Sequence, residues 1–206
     1  MQDRTIVHRL REEYFDYSSE IERVLAQLEA EIRYHTLPIL GDLREPEKLL
    51  YKARIKTCES AISTLLRRKG TNTPEGRRFD PDRGEEYSLL SLPDLAGVRV
   101  LVFPSRRLDQ ADTLLRPRFS NWTPKPVKNE KGAVLAPKYH GYCAQVSNRI
   151  QGEYQIVPML LGLFWEVEHS AMYKFRAVAD SKEMRNLRNR VVTDLANFEE
   201  GVERFL

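Results

Sequence analysis

The run VRVLVF, Val98–Phe103, limits the fold more than any other stretch of the chain. Apart from Arg99 it is apolar and β-branched, which marks a short buried strand. A buried strand needs neighbouring strands and a covering layer of helices, so the rest of the chain must supply both. A second strand follows in EYQIVPML, Glu153–Leu160. Alternation puts Glu153, Gln155 and Val157 on one face and Tyr154 and Ile156 on the other. An acid beside an amide suits either a wet sheet surface or the floor of a polar site.

Helical periodicity frames these strands. From Thr5 to Tyr34, Tyr14, Ile21, Val24, Leu25, Leu28 and Ile32 recur at three- and four-residue spacing, until Pro38 and Gly41 break the pattern. A second helix is expected from Pro46 to Lys69, with Leu49, Leu50, Ala53, Ile62, Leu65 and Leu66 as its apolar positions and Gly70 as its stop. Gly70–Ser88 is a polar loop, and Leu108–Leu115 a short helix. Arg116–Pro137 is irregular, with Pro117, Pro124, Pro126 and Pro137. Segments of that length inside a domain are usually functional or mobile. Tyr142–Ile150 and Glu153–Val157 suggest a hairpin turning near Gly152. Helices over Met159–Phe175 and Ser181–Phe205 close the chain. The fold class is α+β, a mixed sheet flanked by N- and C-terminal helices. It is expected as one domain over 1–206: a helical extension (1–45), a core (46–175) and a C-terminal helix (176–206).

The composition narrows the function. With 206 residues, 41% hydrophobic and 31% charged, the chain is an ordinary globular one. No apolar run reaches the roughly 18 residues a membrane helix needs. The mixed-charge N-terminus is no signal peptide. Cys58 and Cys143 cannot build a disulfide framework or a zinc site alone, so a reducing cytoplasm is expected. Net charge is only +3, but Arg116, Arg118, Lys125, Lys128, Lys131 and Lys138 face a single acid, Glu130, and Arg67, Arg68 and Lys69 form a second basic knot. Such clusters suit nucleotide phosphates or RNA, and equally a solvated loop.

Asp94 stands just before the buried strand, where Gly97 permits close backbone approach and Arg99 points outward. If the strands of Asp94 and Glu153 are neighbours, the two acids can share a Mg²⁺. Arg54, Lys56 and Ser60 lie near a helix start. Two cations leading into a helix N-terminus form a phosphate site, although an amphipathic helix with surface cations accounts for them as well.

Taken in order, five motifs resemble the synthetase domain of the RelA/SpoT alarmone synthetases in its small single-domain form. They are RIKTCES (Arg54–Ser60), DLAGVRV (Asp94–Val100), KYHGY (Lys138–Tyr142), EYQ (Glu153–Gln155) and WEVEHSAMYK (Trp165–Lys174). The resemblance spans about Tyr51 to Lys174. It implies a nucleotidyltransferase-like fold and a pyrophosphokinase that moves the β,γ-diphosphate of ATP to a ribose 3′-hydroxyl, without a hydrolase region. By the same resemblance Asp94 is a Mg²⁺ ligand, Glu153 is the second acid, either metal ligand or activator of the hydroxyl, and Gln155 orients the acceptor or Glu153. Arg54, Lys56, Ser60 and Arg99 contact ATP. Arg54 with Arg106 or Arg107 sandwiches the adenine, because planar guanidinium stacks on a ring. Lys138 and Tyr139 bind the acceptor, with Tyr139 stacked on its base. Glu168, His169, Tyr173 and Lys174 line or brace the site.

Five positions in three motifs depart from the housekeeping pattern: Gly141 and Cys143 for a serine and a histidine, Val157 and Pro158 for an arginine and a threonine, and Thr64 for a lysine. These changes look more like the toxic small alarmone synthetases. That leaves the acceptor open among a guanosine nucleotide, in a stringent response, an adenosine nucleotide, and the 3′-terminal adenosine of tRNA, the last two in a toxin paired with an antitoxin. A weakened nucleotide- or RNA-binding module is the alternative. Leu187, Val191, Leu195, Phe198, Val202 and Leu206 give the last helix an apolar face for the core or for a homo-oligomer seam.

Overall fold

The computed structural model describes residues 2–67, 87–130, 132–174 and 182–205, with the side chains of 2–5, 169 and 171–174 left out. Six helices and seven strands lie within them. They are α1 (Gln2–Asp16), α2 (Ser18–Gly41), β1 (Lys48–Ile55), α3 (Cys58–Arg67), β2 (Ala96–Phe103), α4 (Arg107–Leu115), β3 (Thr123–Pro124), β4 (Val127–Lys128), β5 (Val134–Ala136), β6 (Lys138–Tyr142), β7 (Gln151–Pro158), α5 (Met159–Lys174) and α6 (Lys182–Glu203). The expected polar loop over 70–88 lies outside the described residues up to position 86.

A five-stranded mixed sheet runs β1-β2-β7-β6-β3. β2 and β7, the two strands legible as apolar runs, are parallel neighbours, and every other pairing is antiparallel. β4 and β5 form a separate ribbon. The fold is therefore mixed α+β, as the sequence implies.

β7 is buried on both faces. Tyr154 and Ile156 join Val98, Val100 and Val102 against Leu28, Ile32 and Ile39 of α2 and Ala111 and Leu115 of α4. On the other face Val157 and Leu101 pack under Leu161 of α5 and Val192 of α6. Gly162 lets α5 press down there, since a Cβ on it would stand 2.4 Å from a Leu101 methyl. A second core gathers Ile6 and Leu10 of α1, Ile62 and Leu65 of α3, and Leu92 and Leu95 before β2. Among the described residues, no helix is long and apolar enough to cross a membrane.

Several boundaries differ from expectation. The first helical stretch is two helices that part at Tyr17, and α2 carries Pro38 inside its last turns before ending at Gly41. The helix expected from Pro46 is a strand up to Ile55. Its Leu, Lys, Ala and Arg are helix formers, but eight residues pair edge to edge with β2, and pairing overrides local propensity. The helix begins only at Cys58. The strand expected over Tyr142–Ile150 lies earlier, at Lys138–Tyr142. Beyond it the chain turns, with the amides of Val146 and Ser147 donating to the Cys143 carbonyl.

Candidate active site on the polar face of the sheet

On the sheet's second face α5 and α6 pack over Leu101 and Val157, and from there towards Asp94 the strands carry charge. The registers set the layout. Arg54 of β1 faces Gly97 of β2, Gly97 faces Glu153 of β7, and Glu153 faces His140 of β6. Arg54 lies over Gly97, its Cγ and Nε 3.9 Å from where a Cβ would be.

The polar groups on this face form a chain of bonds. Arg99 Nε donates to Gln155 Oε1 at 3.3 Å, and Gln155 Nε2 donates to Glu153 Oε1 at 2.7 Å. Glu153 Oε2 faces Lys138 Nζ at 2.5 Å. Only 4% of Glu153 is exposed, so this carboxylate is oriented from both sides. Arg99 also approaches Glu166 of α5 at 3.7 Å, and Glu166 pairs with Lys52 of β1. Burial, followed by the neighbouring Arg54 guanidinium, lowers the Arg99 pKa. Asp94 sits at the mouth of β2, bonded to Lys56 Nζ at 2.6 Å. The Lys56 amide donates to the Leu95 carbonyl and its carbonyl accepts from the Tyr14 hydroxyl, so the junction from β1 to α3 is pinned. Ser60 follows in the first turn of α3, its amide 3.4 Å from Thr57 Oγ1.

Asp94, Glu153, Gln155, Arg54, Lys56, Arg99 and Lys138 thus occupy one face and its mouth. Among the described residues, no cluster of three or more His, Cys, Asp or Glu could by itself hold a metal ion. The acids can offer a cation one or two oxygens, not a cage.

Other expected residues stand elsewhere. Tyr139 points to the apolar face and is only 8% exposed. Its ring stacks on Tyr154 at 4.9 Å, and its hydroxyl donates to Asp112 at 2.8 Å. The register of β6 on β7, with Tyr139 opposite Tyr154, sets this parity. Tyr142, 42% exposed, is the tyrosine of β6 on the Glu153 face, where its hydroxyl accepts from Gln151 Nε2 at 3.1 Å. Arg106 and Arg107 follow the far end of β2 and both bind Glu47, whose side chain is fully buried. Burial would raise the Glu47 pKa, but the bonds from Arg107, Arg106 and the Arg44 amide hold it at about 2. Neither arginine joins Arg54. Glu168 pairs with Arg188 of α6. The side chains of His169, Tyr173 and Lys174 lie outside those described, as do Arg68, Lys69 and Lys131.

Sequence reasoning missed Lys52, His140, Tyr142 and Glu166 on this face. Strand parity would have found His140 and Tyr142, once β6 was placed. The departures are packing features. Gly141 faces Trp122, whose ring would be 2.5 Å from an added Cβ. Val157 is core. Thr64 Oγ1 donates to the Ser60 carbonyl. Cys143 lines a cleft of about 410 Å³ beside Tyr142, between Glu31 of α2 and Trp122, and burial pushes its thiol up to about 11. The basic run is partly consumed, with Arg116 on Asp112, Arg118 bidentate on Glu31, and Lys138 on Glu153.

No protein-family model matches the chain, and no curated protein matches it in sequence. Solved structures do. Small alarmone synthetase 1 from Bacillus subtilis bound to its product pppGpp superposes with TM-score 0.67 at 14% identity, over 94% of this chain and 96% of that one. The same enzyme bound to AMPCPP gives 0.56 at 17%, over 92% and 93%. Small alarmone synthetase 2 from Bacillus subtilis gives 0.62 at 17%, over 91% and 97%. The chain has the fold of the small alarmone synthetases over more than nine-tenths of its length.

Proposed function

We propose that the chain is an ATP-dependent pyrophosphokinase that moves the β,γ-diphosphate of ATP onto the ribose 3′-hydroxyl of a guanosine nucleotide. The observation that carries this is the polar face, where Asp94 and Glu153 stand among Arg54, Lys56, Arg99 and Lys138. Transfer between phosphates asks for positioning and charge neutralisation, and these residue types supply both. The neighbours with bound pppGpp and AMPCPP support the same ligand class.

In this reading Arg54 and Arg99, neighbours on the face, grip the adenine in place of Arg106 or Arg107. Lys56 and Lys138 exchange their carboxylates for phosphate oxygens, with Ser60 at the helix start beside them. Glu153, fixed by Gln155, takes the proton of the 3′-hydroxyl as its oxygen attacks the β-phosphorus and AMP leaves. Tyr142 replaces Tyr139 as platform for the acceptor base. Asp94 and Glu153 fit a Mg²⁺ that fills its remaining positions with water and phosphate oxygens. When bound, that ion would add neutralisation of phosphate charge.

The guanosine acceptor is preferred to tRNA because Arg116 and Arg118 are already paired with this chain's own acids. A toxic role with an antitoxin partner would follow from transfer to tRNA or to an adenosine nucleotide. The test offers Mg²⁺ and γ-labelled ATP with GDP, GTP, AMP or bulk tRNA in separate reactions. Label on a guanine nucleotide is expected. Label on tRNA alone would reassign the acceptor, and ATP binding without transfer to any acceptor would make the chain a binding module.

A further inference from the structure

His140 has no part in the scheme above, yet its position is the closest of any β6 residue to Glu153 in the register. Tyr139 stacks on Tyr154, and Gly141 abuts Trp122 on the apolar face. Lys138 meets Glu153, and Tyr142 meets Gln151, on the polar face. His140 has the parity of the second pair and lies directly opposite Glu153. Directly opposed residues of an antiparallel pair share a face, with Cβ atoms about 4.5–5.5 Å apart.

The imidazole is half-buried, and its Nδ1 is buried without a hydrogen-bond partner among the described residues. Buried polar atoms are rarely left unpaired, so this one is suited to a group that a ligand brings. A neutral imidazole offers one donor and one acceptor. A hydroxyl has the same pair of capacities, whereas a phosphate oxygen only accepts. The two hydroxyls of a ribose sit on neighbouring carbons, so two side chains one cross-strand step apart can address both at once.

We propose that His140 hydrogen-bonds the 2′-hydroxyl of the acceptor ribose and thereby holds the adjacent 3′-hydroxyl at Glu153. This rests on the pyrophosphokinase reading and adds to it the residue that tells ribose from 2′-deoxyribose. The experiment compares GDP with 2′-deoxy-GDP (or, if tRNA accepts, tRNA ending in adenosine with tRNA ending in 2′-deoxyadenosine). The proteins are wild type, His140→Ala and His140→Gln, with Mg²⁺ and γ-labelled ATP. Wild type is expected to favour the ribose acceptor by about 10-fold or more in kcat/KM. His140→Ala should lose about that factor with GDP and stay within about twofold with 2′-deoxy-GDP, so that the preference disappears. His140→Gln, which keeps a donor and an acceptor, should recover part of it. AMPCPP affinity and the melting temperature should not move. No ribose preference in wild type, or equal losses with both acceptors, would overturn the role of His140 alone. Absence of transfer from wild type to any acceptor would overturn the pyrophosphokinase reading, and this inference with it.

Discussion

Glu153 and Tyr154 are adjacent in the chain and serve opposite faces of one strand. On the apolar face Tyr154 is fully buried in a cluster with Phe119, Trp122 and Tyr139, ring centroids 4.8, 5.7 and 4.9 Å away. On the polar face Glu153 is nearly as buried, but among Lys138, Gln155 and, through Gln155, Arg99. One face is held by packing and the other by charge. Because a strand alternates, stability and chemistry fall on successive residues and single substitutions should separate them.

The largest effect belongs to the packed face. Tyr154→Ala should lower the unfolding free energy by about 3–5 kcal/mol, measured by urea denaturation. Glu153→Gln should do the reverse, lowering kcat by about 10²-fold or more while the melting temperature shifts by only a few degrees. A folded Glu153→Gln protein with near-normal turnover would break the contrast. Gly141→Ala should cost about 2 kcal/mol, because the new methyl meets the Trp122 ring.

Two buried carboxylates outside the site sharpen the contrast through pH. Burial raises Glu199 from 4.5 to about 7, with Glu203 adding to it and Ser105 opposing. The folded state therefore keeps a proton that the unfolded chain releases. The stability this supplies is full below pH 4.5 and falls as pH rises towards about 7. Glu47, held at about 2, acts the other way, its contribution full above pH 4.5 and lost as pH falls towards 2. Glu199→Gln should flatten the upper limb and add about 1–2 kcal/mol at pH 8, read from denaturation curves at pH 4.5, 6 and 8. Smallest of all, Arg118→Ala should cost about 1 kcal/mol or less and leave turnover unchanged, because its ion pair with Glu31 is partly exposed. A large loss of transfer in that variant would restore Arg118 to the acceptor site.

The sequence disclosed the two central strands of the sheet, which are themselves mostly buried. β2 and β7 announced themselves as apolar runs, and α4, α5 and α6 by periodicity. β1 was hidden because its composition is helical and only the pairing with β2 makes it a strand. The resemblance grouped the acids with the cations of β1 and β2, and the registers bring them to one face of the sheet. The facing of Tyr139 was not legible, because only the register of β6 on β7, with Tyr139 opposite Tyr154 and Tyr142 opposite Gln151, settles which tyrosine faces the site. Arg106 and Arg107 were misjudged for a different reason, as their partner Glu47 lies about sixty residues back in the chain.

The contact between Gly141 and Trp122 bears on how the chain could change. A serine at 141 would drive its side chain into the indole, so that step is closed until Trp122 becomes smaller. Shrinking Trp122 first opens a void against Phe119 and Tyr154. Either order passes through a damaged intermediate, so the pair acts as a ratchet. A design that aims to place a side chain at 141 must move both positions in one step.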